Sequence, residues 1–276
     1  MIIEKLKDKI VIKGLEDFDI DHILLCGQVF RFKQTDYGYL VFSKDKIAKV
    51  YKGNNICEIK TDDVDYFYNY FDLDTNYSKI KQSLSKYPQL QRPLKFGFGI
   101  RILRQDIFET IISFIISANN NIKRIQGIIE RISRNFGQKN GDFYAFPTLE
   151  ELKGADEKFY KFIGAGYRSS YLEKVVKQLS SGEYDFEEMK NMPTIQLKKK
   201  LITLCGVGPK VADCIMLFGF SRGDVFPVDT WMQKVYEQDF KGTLKDRNKI
   251  TNFFVETFGE LSGFAQQYLF FNKREN

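Results

Sequence analysis

The sequence has 276 residues, 43% hydrophobic and 28% charged, which indicates a folded chain of one large domain or two packed ones. Lysine and arginine total 42 against 36 acidic residues, a net charge of +6 that is compatible with a polyanionic partner. One histidine and four scattered cysteines without a CxxC pair exclude multi-histidine metal sites, zinc knuckles and closely spaced iron–sulfur ligands. No window approaches the roughly 18 uncharged apolar residues of a membrane span.

The first hundred residues are predicted to form an antiparallel sheet with one solvated face. Short alternating or apolar segments separated by turn residues predict strands over Lys9–Lys13, Gln28–Lys33, Tyr39–Ser43, Ile47–Tyr51 and Ile56–Lys60. The histidine, His22, is expected to be an ordinary structural or surface residue. Helices are predicted over Asp62–Tyr70 and Tyr77–Tyr87, and a joint is predicted at Pro93, Gly97 and Gly99.

From about Arg104 the hydrophobic residues follow a helical period. A stripe that begins at Ile107 stops at the triplet 119–121, and a second one runs from Ile122 to Phe136. A further helix opens at Phe146-Pro147-Thr148. Other helical patterns cover Tyr171–Leu179, Thr194–Cys205, Pro209–Phe218, Thr230–Asp239, Asp246–Thr257 and Leu261–Asn272. The sequence therefore predicts an α+β chain, with an N-terminal antiparallel sheet domain (residues 1–100) packed on a larger all-helical body (residues 101–276).

The segment around Gly206-Val207-Gly208 carries the clearest functional signal. Glycine permits a tight reversal between two helices, and Pro209 suits the first position of the second helix. The free N–H groups at that helix start can hold a phosphate, which is the physics of a helix-hairpin-helix that grips a DNA backbone. A plain corner between two helices with a glycine C-cap is the alternative interpretation.

Two side chains near this segment suit covalent chemistry. Lys210 and Cys214 share one face of the second helix, and the helix start disfavours the protonated form of Lys210, as an amine nucleophile requires. A lysine that only touches phosphate is the alternative. Asp229 follows a rigid proline turn and precedes a helix, so it is predicted to be an N-cap. Its carboxylate would stay ionised there and could face a developing cation.

These motifs together resemble the helix-hairpin-helix DNA glycosylases, in particular the 8-oxoguanine DNA glycosylases of the type found in eukaryotes and some bacteria. The resemblance extends from Gly27 to Phe270. It implies that Lys210 is the nucleophile and Asp229 the catalytic carboxylate. In the base pocket it implies that the Gly27 carbonyl accepts the N7 proton of 8-oxoguanine. Cys214 and Phe270 would cover the two faces of the base, and Gln266 would bind its pairing edge.

The resemblance also implies a set of DNA contacts. Asn119 would help fill the hole in the duplex, Tyr167 would be the inserted wedge, and Arg124 and Arg168 would contact the orphaned cytosine. The hairpin residues that would hold the DNA backbone are Gly206 and Gly208. Cys205 stands where the family usually has proline. Trp231 stands where the eukaryotic pattern has a histidine that contacts the DNA backbone, so no role is carried over to it.

The implied activity is that of a bifunctional base-excision-repair enzyme, an 8-oxoguanine DNA glycosylase and AP lyase. It would need no cofactor and no catalytic metal, and its partner would be duplex DNA that contains 8-oxoguanine. We expect a monomer without a membrane association, with free thiols, in the bacterial cytoplasm with the nucleoid. The alternatives are a monofunctional alkylpurine DNA glycosylase and a non-enzymatic helix-hairpin-helix DNA-binding protein. Lys210 argues against both, since neither needs a lysine nucleophile.

Overall fold

A computed structural model describes residues 1–276 and confirms the α+β architecture. The strands are β1 (Ile2–Lys5), β2 (Lys9–Lys13), β3 (Phe32–Thr35), β4 (Gly38–Ser43), β5 (Lys46–Gly53), β6 (Ile56–Lys60), β7 (Lys139–Asn140) and β8 (Phe143–Tyr144). The first six form one antiparallel sheet in the order β1-β2-β6-β5-β4-β3, and β7 pairs with β8 in a separate hairpin.

The helices follow in chain order. They are α1 (Ile20–Leu25), α2 (Val64–Tyr70), α3 (Tyr77–Leu84), α4 (Pro88–Phe96), α5 (Ile107–Ser117), α6 (Ile122–Phe136), α7 (Leu149–Leu152), α8 (Glu157–Phe162), α9 (Ser169–Leu179), α10 (Phe186–Lys190), α11 (Thr194–Ile202), α12 (Pro209–Phe218), α13 (Thr230–Gln238), α14 (Arg247–Phe258) and α15 (Ser262–Glu275). Short 3₁₀ helices span Gly166–Arg168 and Gly259–Leu261. None of the helices combines the length and the apolar character that crossing a bilayer requires.

The sheet covers its core with alternate side chains of each strand. In β2, Ile10 and Ile12 are fully buried, and the antiparallel register places them opposite Ile59 and Cys57 of β6. Because side chains alternate along a strand, a slip of one residue would move these isoleucines to the other face. The register of the sheet is therefore set by its apolar residues.

The helical body has two further cores. The larger one surrounds α5, whose residues are buried on all sides, and includes α6, α9 and α12. The other lies between residues 84–100 and helices α13 to α15, with Leu90, Ile100 and Phe226 at its centre. Helix α4 thus packs on α15 rather than on the sheet. The domain division at residue 100 stays a prediction.

The segment predicted as a strand over Gln28–Lys33 is largely irregular, and the strand β3 begins only at Phe32. The cause is a set of side-chain bonds that tie this segment to the helical body. The buried amide of Gln28 donates to the carbonyls of Ile23 and Arg101 and accepts from the N–H of Leu103, at 2.8–2.9 Å. These bonds replace a strand ladder and fix the segment that begins at Gly27.

Arg31 extends the same connection. Its guanidinium is buried, lies 3.3 Å from the buried carboxylate of Glu109 on α5, and donates to the Tyr144 carbonyl at 2.7 Å. Burial raises the pKa of Glu109, while the Arg31 charge opposes that rise. The sheet domain is therefore held to the helical body by a charged pair as well as by apolar contacts.

Pro93 does not form the predicted joint, because it lies inside α4. That helix has Gly97 as its C-cap. Several short elements were not predicted: β1, α1, α4, α8, α10 and the β7–β8 hairpin. His22 has the expected structural role, since its ring packs against Phe98 and Phe271 at centroid distances of 4.9 and 5.4 Å. All four cysteines are free thiols.

Candidate active site

The turn between α11 and α12 confirms the predicted hairpin. Gly206 has a φ of +85°, and a Cβ there would lie 2.9 Å from the Cβ of Tyr171, so both backbone angle and space require glycine. Gly208 is exposed with open space around it, and Pro209 begins the helix. No side chain caps α12. Its first N–H groups are therefore available to an anion such as a DNA phosphate.

A charged pair holds the two hairpin helices together. Lys198 of α11 lies 2.7 Å from Asp213 of α12, and the Asp213 side chain is almost fully buried. Burial raises the pKa of Asp213 to about 6, although the Lys198 charge works in the opposite direction. This ion pair was not predicted. An aspartate inside an otherwise apolar helix could have indicated it, since a buried acid needs a partner.

Lys210 lies one turn before Cys214 on α12, near enough for each side chain to change the pKa of the other. Burial lowers the pKa of Lys210, but Cys214, Asp229 and Asp213 raise it by more, so this pKa lies above its ordinary value. The prediction that the helix start lowers it is therefore wrong for the free protein. Burial also raises the pKa of the Cys214 thiol to about 11.

Asp229 is the N-cap of α13, as predicted. One carboxylate oxygen, Oδ1, accepts the N–H groups of both Trp231 and Met232, each at 2.9 Å. These bonds fix the side chain and leave Oδ2 without a hydrogen bond inside the protein. The Asp229 charge contributes to the raised pKa of Lys210, so the two groups lie within electrostatic range of each other. The site thus combines an amine with an oriented carboxylate.

Three of the predicted base-pocket residues lie at the junction of the sheet domain and α15. Gly27 has a φ of +84°, and a Cβ on it would lie 3.2 Å from the Phe270 ring. Gln266 is buried and points its amide at the carbonyl of Pro227, 3.4 Å away, two residues before Asp229. Gln266 and Phe270 share one face of α15. Cys214 lies one turn after Lys210 on α12, and the roles of these four residues stay predictions.

The Arg168 side chain packs against the loop after α5, which contains Asn119. The Arg168 side chain is buried and donates to the carbonyls of Ala118, Ala165 and Asn119, at 2.8–3.3 Å. Asn119 is exposed with a φ of +50°, an unusual angle for a residue other than glycine. The predicted contact of Arg168 with an orphaned cytosine stays a prediction, and it requires this guanidinium to leave its carbonyl partners.

Tyr167 and Arg124 flank that loop. Tyr167 is 56% exposed, its hydroxyl donates to the Ala118 carbonyl at 3.1 Å, and the Arg168 guanidinium lies 4.3 Å from its ring centroid. Arg124 is exposed and donates to the Gly164 carbonyl at 3.0 Å. The four predicted DNA-contacting residues outside the hairpin therefore lie around the α5–α6 connection and the 3₁₀ helix Gly166–Arg168, three of them exposed and Arg168 buried.

Trp231 borders an open polar cleft of about 740 Å³ between α4, α13 and the end of α15. The indole is partly exposed, and the ammonium of Lys234 lies 4.7 Å from its ring centroid. Arg92 adds a second positive charge to this cleft. From the sequence, Trp231 stood out only as a departure from the family pattern. The cleft itself could not be predicted, because its walls come from helices that are distant in the chain.

Two family models match the chain in succession. The model described as 8-oxoguanine DNA glycosylase, N-terminal domain, matches residues 10–111. The model described as HhH-GPD superfamily base excision DNA repair protein matches residues 112–260. Together they cover both the sheet domain and most of the helical body, including the hairpin and the Asp229 turn.

Individual relatives agree with these models. A probable N-glycosylase/DNA lyase of Methanothermobacter thermautotrophicus is 31% identical over 230 residues, 75% of this chain and 72% of its own. The N-glycosylase/DNA lyase OGG1 of Arabidopsis thaliana is 34% identical over 67% of this chain, which spans about half of that protein (54%). The crystal structure of the Clostridium acetobutylicum 8-oxoguanine glycosylase/lyase, bound to double-stranded DNA with cytosine opposite 8-oxoguanine, has 40% identity and a TM-score of 0.95. The structural match covers 100% of this chain and 98% of the Clostridium acetobutylicum chain.

Proposed function

The chain belongs to the 8-oxoguanine DNA glycosylase family of the HhH-GPD superfamily, and on this premise we propose that Lys210 and Asp229 together remove 8-oxoguanine from duplex DNA and then cleave the strand. The observation that carries the assignment of these two residues is their arrangement. An amine in the first turn of the second hairpin helix, whose start has no side-chain cap, lies within electrostatic range of a carboxylate that keeps one oxygen free of hydrogen bonds inside the protein.

The proposed reaction begins when the damaged nucleotide leaves the base stack, at a cost of a few kcal/mol. The free oxygen of Asp229 stabilises the positive charge that develops on the sugar as the glycosidic bond breaks. The base leaves as an anion and takes a proton from Lys210, and the neutral amine then bonds to C1′. The C1′–O4′ bond breaks as O4′ takes up a proton, which gives the Schiff base, and loss of a C2′ proton to water then expels the 3′ phosphate. The fixed position of Asp229 means that it needs no reorientation during this step.

Lys210 must lose a proton before it attacks, since its pKa in the free protein is raised and only the neutral amine is a nucleophile. The base leaves as an anion and can take up one proton, so transfer from Lys210 to the base balances the step. The Lys210 amine thus stays protonated until the departing 8-oxoguanine anion takes up its proton.

Recognition of the base rests on four residues, of which Gly27 and Phe270 adjoin each other where the sheet domain meets α15. Phe270 and Cys214 would cover its two faces, Gln266 would bind its pairing edge, and the Gly27 carbonyl would accept the N7 proton that guanine lacks. A buried carbonyl left without its donor costs about 1–3 kcal/mol, or about 5- to 150-fold in preference. One hydrogen therefore accounts for a large part of the discrimination.

The proposal is tested with a labelled duplex that carries 8-oxoguanine opposite cytosine. The wild-type chain releases the base and leaves a β-elimination product without added base or heat, whereas Lys210→Gln does neither. Lys199→Gln, an exposed lysine of the same hairpin, serves as the control and retains both activities. Release of the base with an intact strand would indicate the monofunctional alternative, and binding without release would indicate a DNA-binding protein; either result would contradict the proposal.

We also propose that the enzyme acts as a monomer in the cytoplasm, where chromosomal DNA lies. The location is supported by the four free cysteines, since a reducing cytoplasm keeps thiols unpaired. Light scattering of the protein with and without duplex tests the oligomeric state, and a dimer that forms only with DNA would contradict it.

A further inference from the structure

Arg274, in the last turn of α15, lies beside the base pocket and has no part in the mechanism described above. Only 17% of its side chain is exposed, although it occupies the end of a helix. Its guanidinium lies 5.3 Å from the centroid of the Phe270 ring and donates to the carbonyl of Leu25. A surface arginine without a structural partner would extend into water instead.

The same guanidinium closes one side of Gly27. A Cβ on Gly27 would lie 2.9 Å from a terminal nitrogen of Arg274 and 3.2 Å from the Phe270 ring. Leu25 is the last residue of α1, so its carbonyl belongs to the group that a helix end leaves without partners. Arg274 therefore contacts α1, Gly27 and Phe270 at one point.

We propose that Arg274 is a positioning residue for base recognition, which holds the Leu25–Gly27 segment at a set distance from the Phe270 ring. The inference rests on the proposed function, in which Gly27 and Phe270 both contact the damaged base. Gly27 comes from the sheet domain and Phe270 from the last helix. Arg274 donates to the Leu25 carbonyl, two residues before Gly27, while its guanidinium lies over the Phe270 ring.

The chemistry requires arginine rather than any cation. A planar guanidinium can stack on an aromatic ring and donate in its own plane at the same time. A lysine ammonium is a single point charge, so it can satisfy the Leu25 carbonyl or lie over the ring, but not with the same geometry. The conservative variant Arg274→Lys therefore separates the effect of charge from that of position.

This role affects one step of the reaction and spares another. Excision of 8-oxoguanine needs the base to fit between Gly27 and Phe270. The lyase step on a preformed abasic site needs Lys210 and Asp229 but no base. Loss of Arg274 should therefore slow excision and leave reaction at abasic DNA unchanged.

The test measures both steps in Arg274→Met and Arg274→Lys under single-turnover conditions with saturating enzyme. We expect excision by Arg274→Met to fall by about 10- to 100-fold, because a small misplacement of a binding group has effects of that size. Preference for 8-oxoguanine over guanine should fall as well, borohydride trapping on abasic duplex should stay at the wild-type level, and Arg274→Lys should regain only a part of the rate. Arg134→Met is the matched control, because Arg134 is an exposed arginine whose guanidinium also lies over an aromatic ring. That ring is a tyrosine, and its centroid is 5.8 Å from the guanidinium carbon.

Normal trapping also shows that the variant is folded. The inference would be overturned by unchanged excision, by an equal fall in excision and trapping, or by full activity in Arg274→Lys. A wild-type chain that neither excises 8-oxoguanine nor forms the adduct would contradict the proposed function itself, and this inference with it. The two failures are thus distinguished by whether the unsubstituted enzyme is active.

Discussion

Replacement of Asp229 separates its two roles, because capping and catalysis use different properties of the side chain. Asp229→Asn keeps an oxygen that can accept the N–H groups of Trp231 and Met232, and asparagine is as good an N-cap as aspartate. It loses only the interaction between the carboxylate and the helix dipole, about 0.3–1 kcal/mol. Asp229→Ala loses the cap as well, which costs about 1 kcal/mol, or about 2–4 °C in melting temperature.

Activity should follow charge rather than stability. Both variants lack the oxygen that faces the developing cation, so both should excise 8-oxoguanine about 100- to 1000-fold more slowly. Asp246 provides a matched control, since its carboxylate caps α14 through the N–H groups of Asn248 and Lys249 in the same manner. Asp246→Ala should lose comparable stability and keep full activity.

The assay combines thermal unfolding with single-turnover excision for all three variants. A melting temperature of Asp229→Asn near that of the wild type, with little excision, is the expected result. Excision by Asp229→Asn close to the wild-type rate would show that the carboxylate charge is not used, and the mechanism proposed for it would then be wrong.

Three further predictions concern the hairpin, the pocket and the cleft. Lys198→Met leaves the Asp213 carboxylate buried without its cation and should cost about 3 kcal/mol at pH 7. Because the folded pKa of Asp213 is already about 6, above its ordinary value, protonation favours the folded state and the loss in urea unfolding should shrink near pH 5; an equal loss at both pH values would refute this. Gly27→Ala must adopt a φ of +84°, so it should lose about 1–2 kcal/mol of stability and excise 8-oxoguanine more slowly while it still reacts with abasic duplex. Unimpaired excision would exclude a close approach of the base to Gly27. Trp231 is the only tryptophan, and its fluorescence should change on titration with duplex; constant emission at saturation would place the start of α13 outside the DNA interface.

The hairpin could be predicted from sequence because its determinants are local. Gly206 is required by its own backbone angle, Pro209 by its place at a helix start, and Asp229 by the helix that it caps. Each of these requirements operates within a few residues, so a single sequence contains the necessary information.

Features that depend on distant residues were missed or predicted wrongly. Burial lowers the pKa of Lys210, but Cys214 and Asp229 raise it by more, and Asp229 comes from a different turn of the chain. Arg168 is held by carbonyls of a loop that lies far away in the chain. Arg274 shows no pattern in the sequence, since its neighbours come from α1 and from its own helix.

In the proposed reaction, the Nζ of Lys210 forms a covalent bond with C1′ of the damaged nucleotide. Borohydride reduction during the reaction with an 8-oxoguanine duplex, followed by peptide mass spectrometry, locates that bond directly. We predict that the reduced sugar remnant is found on the peptide that contains Lys210, attached to that residue. A remnant on any other amine, or base release without any reducible adduct, would contradict the account.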